Sequence, residues 1–146
     1  MGKCLETIGP WLVAVLTNKF VALTLGGALG TNARYWLSRW LNELAWARGF
    51  PLGTFVINVT GSFVLGLAAM LILERLPPSQ QAWYLLIGTG FCGGYTTFST
   101  FEWETYRLVR DGNFGFALLN IVGSVLVGFV GVVLAVGLLG LVFPRR

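Results

Sequence analysis

Apolar residues run through the chain in four long segments that carry almost no charge. Asp, Glu, Lys and Arg are absent from residues 20–33, 49–73, 76–101 and 112–144. A membrane-spanning helix needs about 20 mostly apolar residues. The pattern therefore predicts four spanning helices, forming one transmembrane domain over residues 1–146, at about residues 17–41, 53–75, 80–109 and 113–142.

The composition supports lipid as the solvent of these helices. Hydrophobic residues make up 55% of the chain and charged residues only 11%, whereas a soluble domain carries about 25% charged residues. Four nearly uncharged helices would leave no polar face for water. We therefore predict an all-α integral membrane protein.

Several function classes are disfavoured by what the chain lacks. It has no His, the commonest general base and metal ligand. Cys4 and Cys92 lie far apart, outside any metal or redox spacing, and are expected to be small apolar fillers. Glu102 and Glu104 have no nucleophile–base partners, so we expect no enzyme. The net charge of +4 is scattered, so we expect no nucleic-acid partner.

The distribution of basic residues does not favour either orientation in the membrane. Four spans place both termini on one side, and the richer side in Lys and Arg normally stays in the cytoplasm. Each side holds five such residues: Lys3, Lys19, Arg75, Arg145 and Arg146 against Arg34, Arg39, Arg48, Arg107 and Arg110. The balance is either accidental or the sign of a dual-topology protein that assembles as an antiparallel homodimer, and the count favours the second interpretation.

A polar motif occurs twice inside the apolar segments. "INVTGSFVLGL" from Ile57 and "LNIVGSVLVGF" from Leu119 share the pattern Asn-x-x-Gly-Ser-x-x-x-Gly. The glycines let helix backbones approach closely. The asparagines, Asn58 and Asn120, need hydrogen-bond partners in hydrocarbon. They are either bonds between helices or donors that line a pore.

The neighbours of these asparagines continue the polar pattern at helical spacing. A stripe of neutral donors would suit a small anion, because it offers N–H and O–H dipoles without a fixed charge that would trap the ion. Residues four apart share a helix face, which gives one stripe of Thr54, Asn58 and Ser62 and another of Asn120, Ser124 and Gly128.

The third segment interrupts itself in "GFCGGYTTFSTFEWE", residues Gly90 to Glu104. Its glycines weaken a helix and its hydroxyls compete for backbone hydrogen bonds. We predict a break near Gly93–Thr97, which is either a packing kink or a place where freed carbonyls hold a cation. Phe98 and Phe101 follow on one helix face. They either meet lipid and core, or turn their positive ring edges to an anion.

These segments, with "GGALGTNARYWLS" in the first span and "GTFVINVTGSFVLGL" in the second, resemble the Fluc (CrcB) family of bacterial fluoride channels over nearly the whole chain. The resemblance implies a multi-pass protein of the bacterial inner membrane. It further implies a dual-topology homodimer with two fluoride pores and one central structural sodium ion.

The resemblance also assigns roles by motif. Gly93 and Thr96 match the residues whose backbone carbonyls hold sodium, and Arg34 matches an arginine near the vestibule. The pathway matches are Phe98 and Phe101, Asn58, Ser124 and Glu104, to which the polar stripes and the hydroxyl run add Thr54, Asn120 and Thr97. This chain has Gly128 where some relatives carry a further hydroxyl. The role of the residues before the first span is not assigned.

The function implied is passive, fluoride-selective permeation that lowers intracellular fluoride. Two other classes compete with it. A small four-span multidrug exporter would need a membrane-embedded acid in the first span, and none occurs between Phe20 and Leu41. A structural membrane subunit would not need a broken helix or repeated buried asparagines.

Overall fold

A computed structural model describes residues 9, 14–15, 18–44 and 49–143. The predictions that rest on Lys3, Cys4, Arg48, Arg145 and Arg146 lie outside these residues. Helices dominate the described part of the chain, and no strand occurs in it. The main helices are α1, Lys19–Asn42; α2, Leu52–Ala68; α3, which spans 82–95; α4, Phe98–Arg110; and α5, Phe114–Val142.

The helices follow the predicted spans closely. α1, α2 and α5 correspond to the first, second and fourth spans, and α2 continues through a π-helical turn, Ala69–Leu73. Within the described residues, two helices are long and apolar enough to cross a membrane: Leu52–Leu73, with 22 residues, and Phe114–Val142, with 29. The third predicted span is divided into α3 and α4, so the predicted break is confirmed.

Local polar contacts fix where the helices begin and turn. The Asn18 side chain caps α1 by accepting the Phe20 N–H at 3.1 Å. Asn42, the last residue of α1, accepts the Gly53 N–H at 2.9 Å and so joins the end of α1 to the start of α2. The turn before α5 lies at Gly112, whose φ of 77° suits a residue without a side chain.

Glycines bring α1 into backbone contact with α3. A side chain at Gly26 would overlap the Leu86 carbonyl, and one at Gly30 would overlap the Phe91 carbonyl. Gly27, on another face of α1, has room, since the nearest atom to an added Cβ is the Gly90 oxygen at 4.0 Å. The Leu86 and Phe91 carbonyls both belong to a π-helical stretch of α3, Leu85–Cys92. The wider π turn and the bare face of α1 therefore fit together and support the break from one side.

The second helix forms the other support. Gly66 of α2 packs against α5, where an added Cβ would lie 3.0 Å from that of Ala135. Gly61 lies against Tyr95 and Thr96, at the end of α3. This close packing was predicted for the repeated motif. α5 buries one narrow face and exposes most of its apolar surface, as expected for a helix that meets lipid or another chain.

Candidate functional site

The centre of the site is the break between α3 and α4, where Thr96 and Thr97 are extended, with φ/ψ of −80°/161° and −153°/121°. Asn58 of α2 replaces the missing helical bonds. Its Oδ1 accepts the Thr97 N–H at 2.9 Å, and its Nδ2 donates to the Thr97 carbonyl at 3.1 Å. We call this reciprocal pair the Asn58 clasp. Broken backbone survives at membrane depth only where such partners satisfy it.

The clasp has a consequence one turn earlier. In an uninterrupted α-helix, the N–H of Thr97 would bond the carbonyl of Gly93. Because that N–H points to Asn58, the Gly93 carbonyl loses its helical donor. The hydroxyl of Thr96 donates to the Cys92 carbonyl at 2.9 Å, so the hydroxyl hydrogen of Thr96 is turned back into α3.

These carbonyls have the chemistry of a hard cation site. Gly93 and Thr96, predicted as backbone ligands of sodium, lie at the end of α3, where the last carbonyls of a helix lack intrahelical donors. Gly93 is exposed, and a Cβ added to it would meet nothing within 4 Å. Small hard cations take oxygen ligands of this kind. The residues present therefore fit a sodium ion.

Helix α4 restarts directly after the clasp. Thr97 is its N-cap, and its Oγ1 accepts the Thr100 N–H at 3.2 Å. The Thr97 hydroxyl in turn lies 3.1 Å from the Thr100 Oγ1, to which it donates. The side chain of Thr97 thus caps the start of α4, while Asn58 bonds the backbone of Thr97.

Two cavities meet at Thr97. The first, which we call the Asn58 cavity, has a volume of about 490 Å³ and contains five of the predicted site residues in its wall: Asn58, Gly93, Thr96, Thr97 and Phe98. The second, the Arg34 cavity, has a volume of about 350 Å³. Its wall includes Arg34, Arg39, Thr54, Thr97 and Thr100. The break therefore stands between a basic cavity and an amide- and phenylalanine-lined one.

Ser62 adds a hydroxyl to the Asn58 cavity. Its Oγ donates to the Asn58 carbonyl at 2.8 Å. A Cβ added to Gly128 would lie 3.4 Å from the same Oγ. α2 therefore places a hydroxyl beside Gly128 of α5.

Thr54 and Glu104 lie between the Arg34 cavity, which Thr54 borders, and a third cavity, which Glu104 borders. Thr54 is 2% exposed and lies beside the Glu104 carboxyl. The Oε2 atom of Glu104 is buried and has no hydrogen-bond partner among the described residues. The third cavity has a volume of about 290 Å³ and lies near Asp111. There Arg110 donates to Asp111 at 2.8 Å, which lowers the pKa of that carboxyl below its usual range.

The two phenylalanines touch but lie in different surroundings. Their ring centroids are 5.8 Å apart and the ring planes are inclined by 38°. Phe98 is 74% exposed, whereas Phe101 is 7% exposed. The two rings are in contact, as the prediction of a shared helix face requires. Of the two, only the Phe98 ring is exposed at the surface of the chain.

Asn120 forms a second, separate polar network. It is fully buried, and its Nδ2 donates to the Thr105 Oγ1 at 2.8 Å. Thr105 donates to the Phe101 carbonyl at 2.8 Å, and Ser124 donates to the Asn120 Oδ1 at a long 3.4 Å. The network ties α5 to the backbone of α4 at Phe101. Neither Asn120 nor Ser124 lines the Asn58 or Arg34 cavity.

Sequence reasoning missed Thr105, although a signal for it exists. Phe101, Thr105 and Leu108 are the buried residues of α4, and their spacing of four and three is that of one helix face. A single hydroxyl on an otherwise apolar stripe indicates a buried partner. The identity of that partner, Asn120, required the fold.

Comparison with known proteins decides the family. Residues 21–138 match the family model described as CrcB-like protein, camphor resistance (CrcB). The chain belongs to the CrcB family. The resemblance to that family rested on motifs in the first, second and third spans, and the matched residues include at least part of every main helix.

Individual CrcB relatives are close in sequence. The chain is 49% identical to the "Fluoride-specific ion channel FluC" of Solibacter usitatus, over 78% of this chain and 92% of that protein. It is 48% identical to the FluC of Pyrococcus furiosus, over 79% and 94%. It is 43% identical to the FluC of Oceanobacillus iheyensis, over 76% and 86%.

Membership of the CrcB family and the apolar helices together identify a membrane protein. The relatives are named as ion channels, a class without catalysis. The prediction that the chain is not an enzyme is therefore confirmed by what its relatives are.

Proposed function

We propose that this protein is a fluoride-selective channel through which cytoplasmic fluoride leaves passively, down its electrochemical gradient, so that intracellular fluoride falls. One observation carries the proposal: a helix broken at membrane depth is held open by the Asn58 clasp and stands between two polar cavities. The relatives named as fluoride-specific ion channels supply the identity of the ion.

The cavities suggest the route. Arg34 and Arg39 border the Arg34 cavity, and basic residues in a cleft raise the local concentration of anions. Thr97 is common to both cavities, so an ion that moves from one to the other passes this residue. An amide nitrogen carries two hydrogens. Asn58 therefore keeps a donor for the ion after one hydrogen has bonded the Thr97 carbonyl.

The hydroxyls of the site provide further donors. The hydrogens of Ser62 and Thr97 are committed to internal acceptors in the described conformation. A hydroxyl can rotate its hydrogen toward a passing anion, and a bond to a charged partner is roughly twice as strong as a neutral one. Fluoride is small and strongly hydrated, so such close donors can replace its water. Chloride is larger and fits the same donors poorly.

The remaining polar residues are assigned to the same route. Thr54 and Glu104 extend it from the Arg34 cavity toward the third cavity. The edges of Phe98 and Phe101 carry positive partial charge and bridge the gaps between stronger donors. Ser124 is half-buried and lies outside both cavities, so it joins the route only where a second copy brings it to the Asn58 cavity, and the buried Asn120 supports it through the 3.4 Å bond.

The proposed assembly is an antiparallel homodimer in the inner membrane, with two pores and one sodium ion at its centre. The exposed ring of Phe98, the exposed Gly93 and the largely uncovered α5 are the surfaces that a second copy would cover. A copy inserted in the opposite sense would place two breaks together. Their carbonyls, from Gly93 and Thr96 of each copy, would then enclose the ion.

Dual insertion predicts a split signal from terminal reporters. The C-terminus is fused, in separate fusion proteins, to one reporter that is active only in the cytoplasm and to another that is active only on the opposite side. We expect both reporters to be active at comparable levels, because each side holds five basic residues. Adding Lys at the exposed Ser79 and Gln80 should shift nearly all copies to the orientation that keeps this loop in the cytoplasm. A one-sided signal from the unmodified chain would contradict dual insertion.

Ion efflux tests the function directly. Purified protein in liposomes loaded with both ions should release fluoride within the response time of an ion-selective electrode while chloride stays inside, because only the smaller ion fits the donors around Asn58. Protein-free liposomes and liposomes carrying an unrelated small membrane protein are the controls. Equal release of both ions would refute selectivity, and no fluoride release from a folded protein would refute the channel.

A further inference from the structure

We propose that Tyr95 is a positioning residue that holds the break in its ion-binding shape and thereby sets how tightly the protein retains sodium. This inference rests on the sodium site of the proposed function, and it concerns a side chain that borders neither the Asn58 cavity nor the Arg34 cavity. Tyr95 is the last residue of α3. The two carbonyls assigned to sodium, those of Gly93 and Thr96, lie two residues before it and one after it.

The Tyr95 hydroxyl makes a directed bond to α2. It lies 2.9 Å from the Thr60 Oγ1. Thr60 has a single hydroxyl hydrogen, and its Oγ1 lies 2.7 Å from the Val56 carbonyl, which can only accept. The Thr60 hydrogen therefore goes to Val56, and Tyr95 is the donor in the bond to Thr60.

This bond is the second of two anchors on the same helix. Asn58 holds Thr97, the second residue of the extended pair, while Thr60 holds Tyr95, which directly precedes the pair. The two anchors stand two residues apart on α2, and the two residues they hold enclose Thr96. Together they fix both ends of the extended segment, so the Thr96 carbonyl cannot turn without breaking one of them.

Packing alone does not replace the hydroxyl. The Tyr95 ring stacks on Phe91 with centroids 5.5 Å apart and planes inclined by 12°. It also covers Gly61, where an added Cβ would lie 3.1 Å from the Tyr95 Cδ1. These apolar contacts fix the orientation of the ring plane, but stacked rings can slide parallel to each other. The bond from the Tyr95 hydroxyl to Thr60 prevents that sliding.

The surroundings strengthen the bond. Tyr95 is 7% exposed, and Thr60 is at the surface of the chain, where a membrane protein meets lipid or another copy rather than water. No water then competes for the pair. Losing one hydrogen bond of this kind corresponds to a change of roughly threefold to tenfold in an equilibrium constant.

The test compares Tyr95→Phe and Thr60→Val with the unmodified protein. Both variants keep the packing and remove the bond. The measurements are retention of radioactive sodium by the purified protein and hydrogen exchange of the amides at residues 96–100. Sodium should bind roughly threefold to tenfold more weakly in either variant, and the amides should exchange faster. The double variant should be no worse than either single one, because both remove the same bond.

Two variants serve as controls. Thr60→Ser keeps the hydroxyl and should retain sodium like the unmodified protein. Tyr106→Phe removes a hydroxyl from an exposed ring that stacks on Trp103, and it should change neither measurement. If the unmodified protein retains sodium and Tyr95→Phe retains it equally, the role of Tyr95 is wrong while the sodium site stands. If the unmodified protein retains none, the site itself is wrong and the inference fails with it.

Discussion

Asn58→Leu is expected to abolish fluoride efflux. Leucine fills nearly the same volume but has no amide, so both bonds of the Asn58 clasp are lost and the N–H and carbonyl of Thr97 have no partner at membrane depth. An unsatisfied buried group costs about 1–3 kcal/mol. Two such groups cost about 2–6 kcal/mol, which reduces the population of the broken conformation by roughly thirtyfold or more. The pathway also loses its amide donor.

Efflux from liposomes and the size of the purified protein measure this prediction. Asn32→Leu is the matched control, because the Asn32 amide is exposed and, among the residues described, donates only to the Ala28 carbonyl of its own helix, at 2.8 Å. We expect this control to conduct. Asn58→Asp separates the two roles of the amide, since it keeps an acceptor for the Thr97 N–H but loses the donor. Normal efflux from Asn58→Leu would show that the clasp is not required.

Phe98→Ile is expected to reduce fluoride efflux by about a hundredfold, equivalent to about 2.7 kcal/mol, without destabilising the chain. Isoleucine removes the positive ring edge, and the barrier to the ion rises where no stronger donor is near. Because the side chain is 74% exposed, little packing within the chain is lost. Efflux assays and thermal unfolding of the purified variant give the two quantities.

The buried neighbour makes a poorer test. Phe101 is 7% exposed, so Phe101→Ile should lower stability by about 1 kcal/mol or more as well as efflux, and the two effects would be confused. Phe20→Ile, at an 84% exposed ring on α1, should leave both quantities unchanged. Unreduced efflux from a stable Phe98→Ile protein would remove the ring from the pathway.

The helices and the break could be predicted because their causes are local. Stretches without charge mark segments that water cannot solvate, and one of the helices α1, α2 and α5, or the pair α3 and α4, lies over each stretch. Gly93 and Gly94 followed by hydroxyls weaken a helix wherever it lies. The tight turn at Gly112 has the same local origin, since only the residue itself determines whether a positive φ is tolerated.

The contacts within the site could not be predicted in the same way. Asn58 and Asn120 occupy the same place in a repeated motif, yet one holds the backbone of Thr97 and the other bonds the Thr105 side chain. The motif fixes the donor, but the partner depends on which helix lies opposite. The π-helical stretch Leu85–Cys92 also depends on a contact between helices. Its wider turn fits the glycine face of α1, and nothing within its own sequence requires that turn.

The break also shapes the electric field inside the membrane. Two helices end there facing each other, and each helix carries about half a positive charge at its N-terminus and half a negative charge at its C-terminus. The C-terminus of α3 therefore turns a negative end toward Thr96, while the N-terminus of α4 turns a positive end toward Thr97. A cation and an anion thus find suitable potentials on neighbouring residues of one uncharged extended segment. Seen from a distance the two ends largely cancel, so the surrounding hydrocarbon meets little net charge.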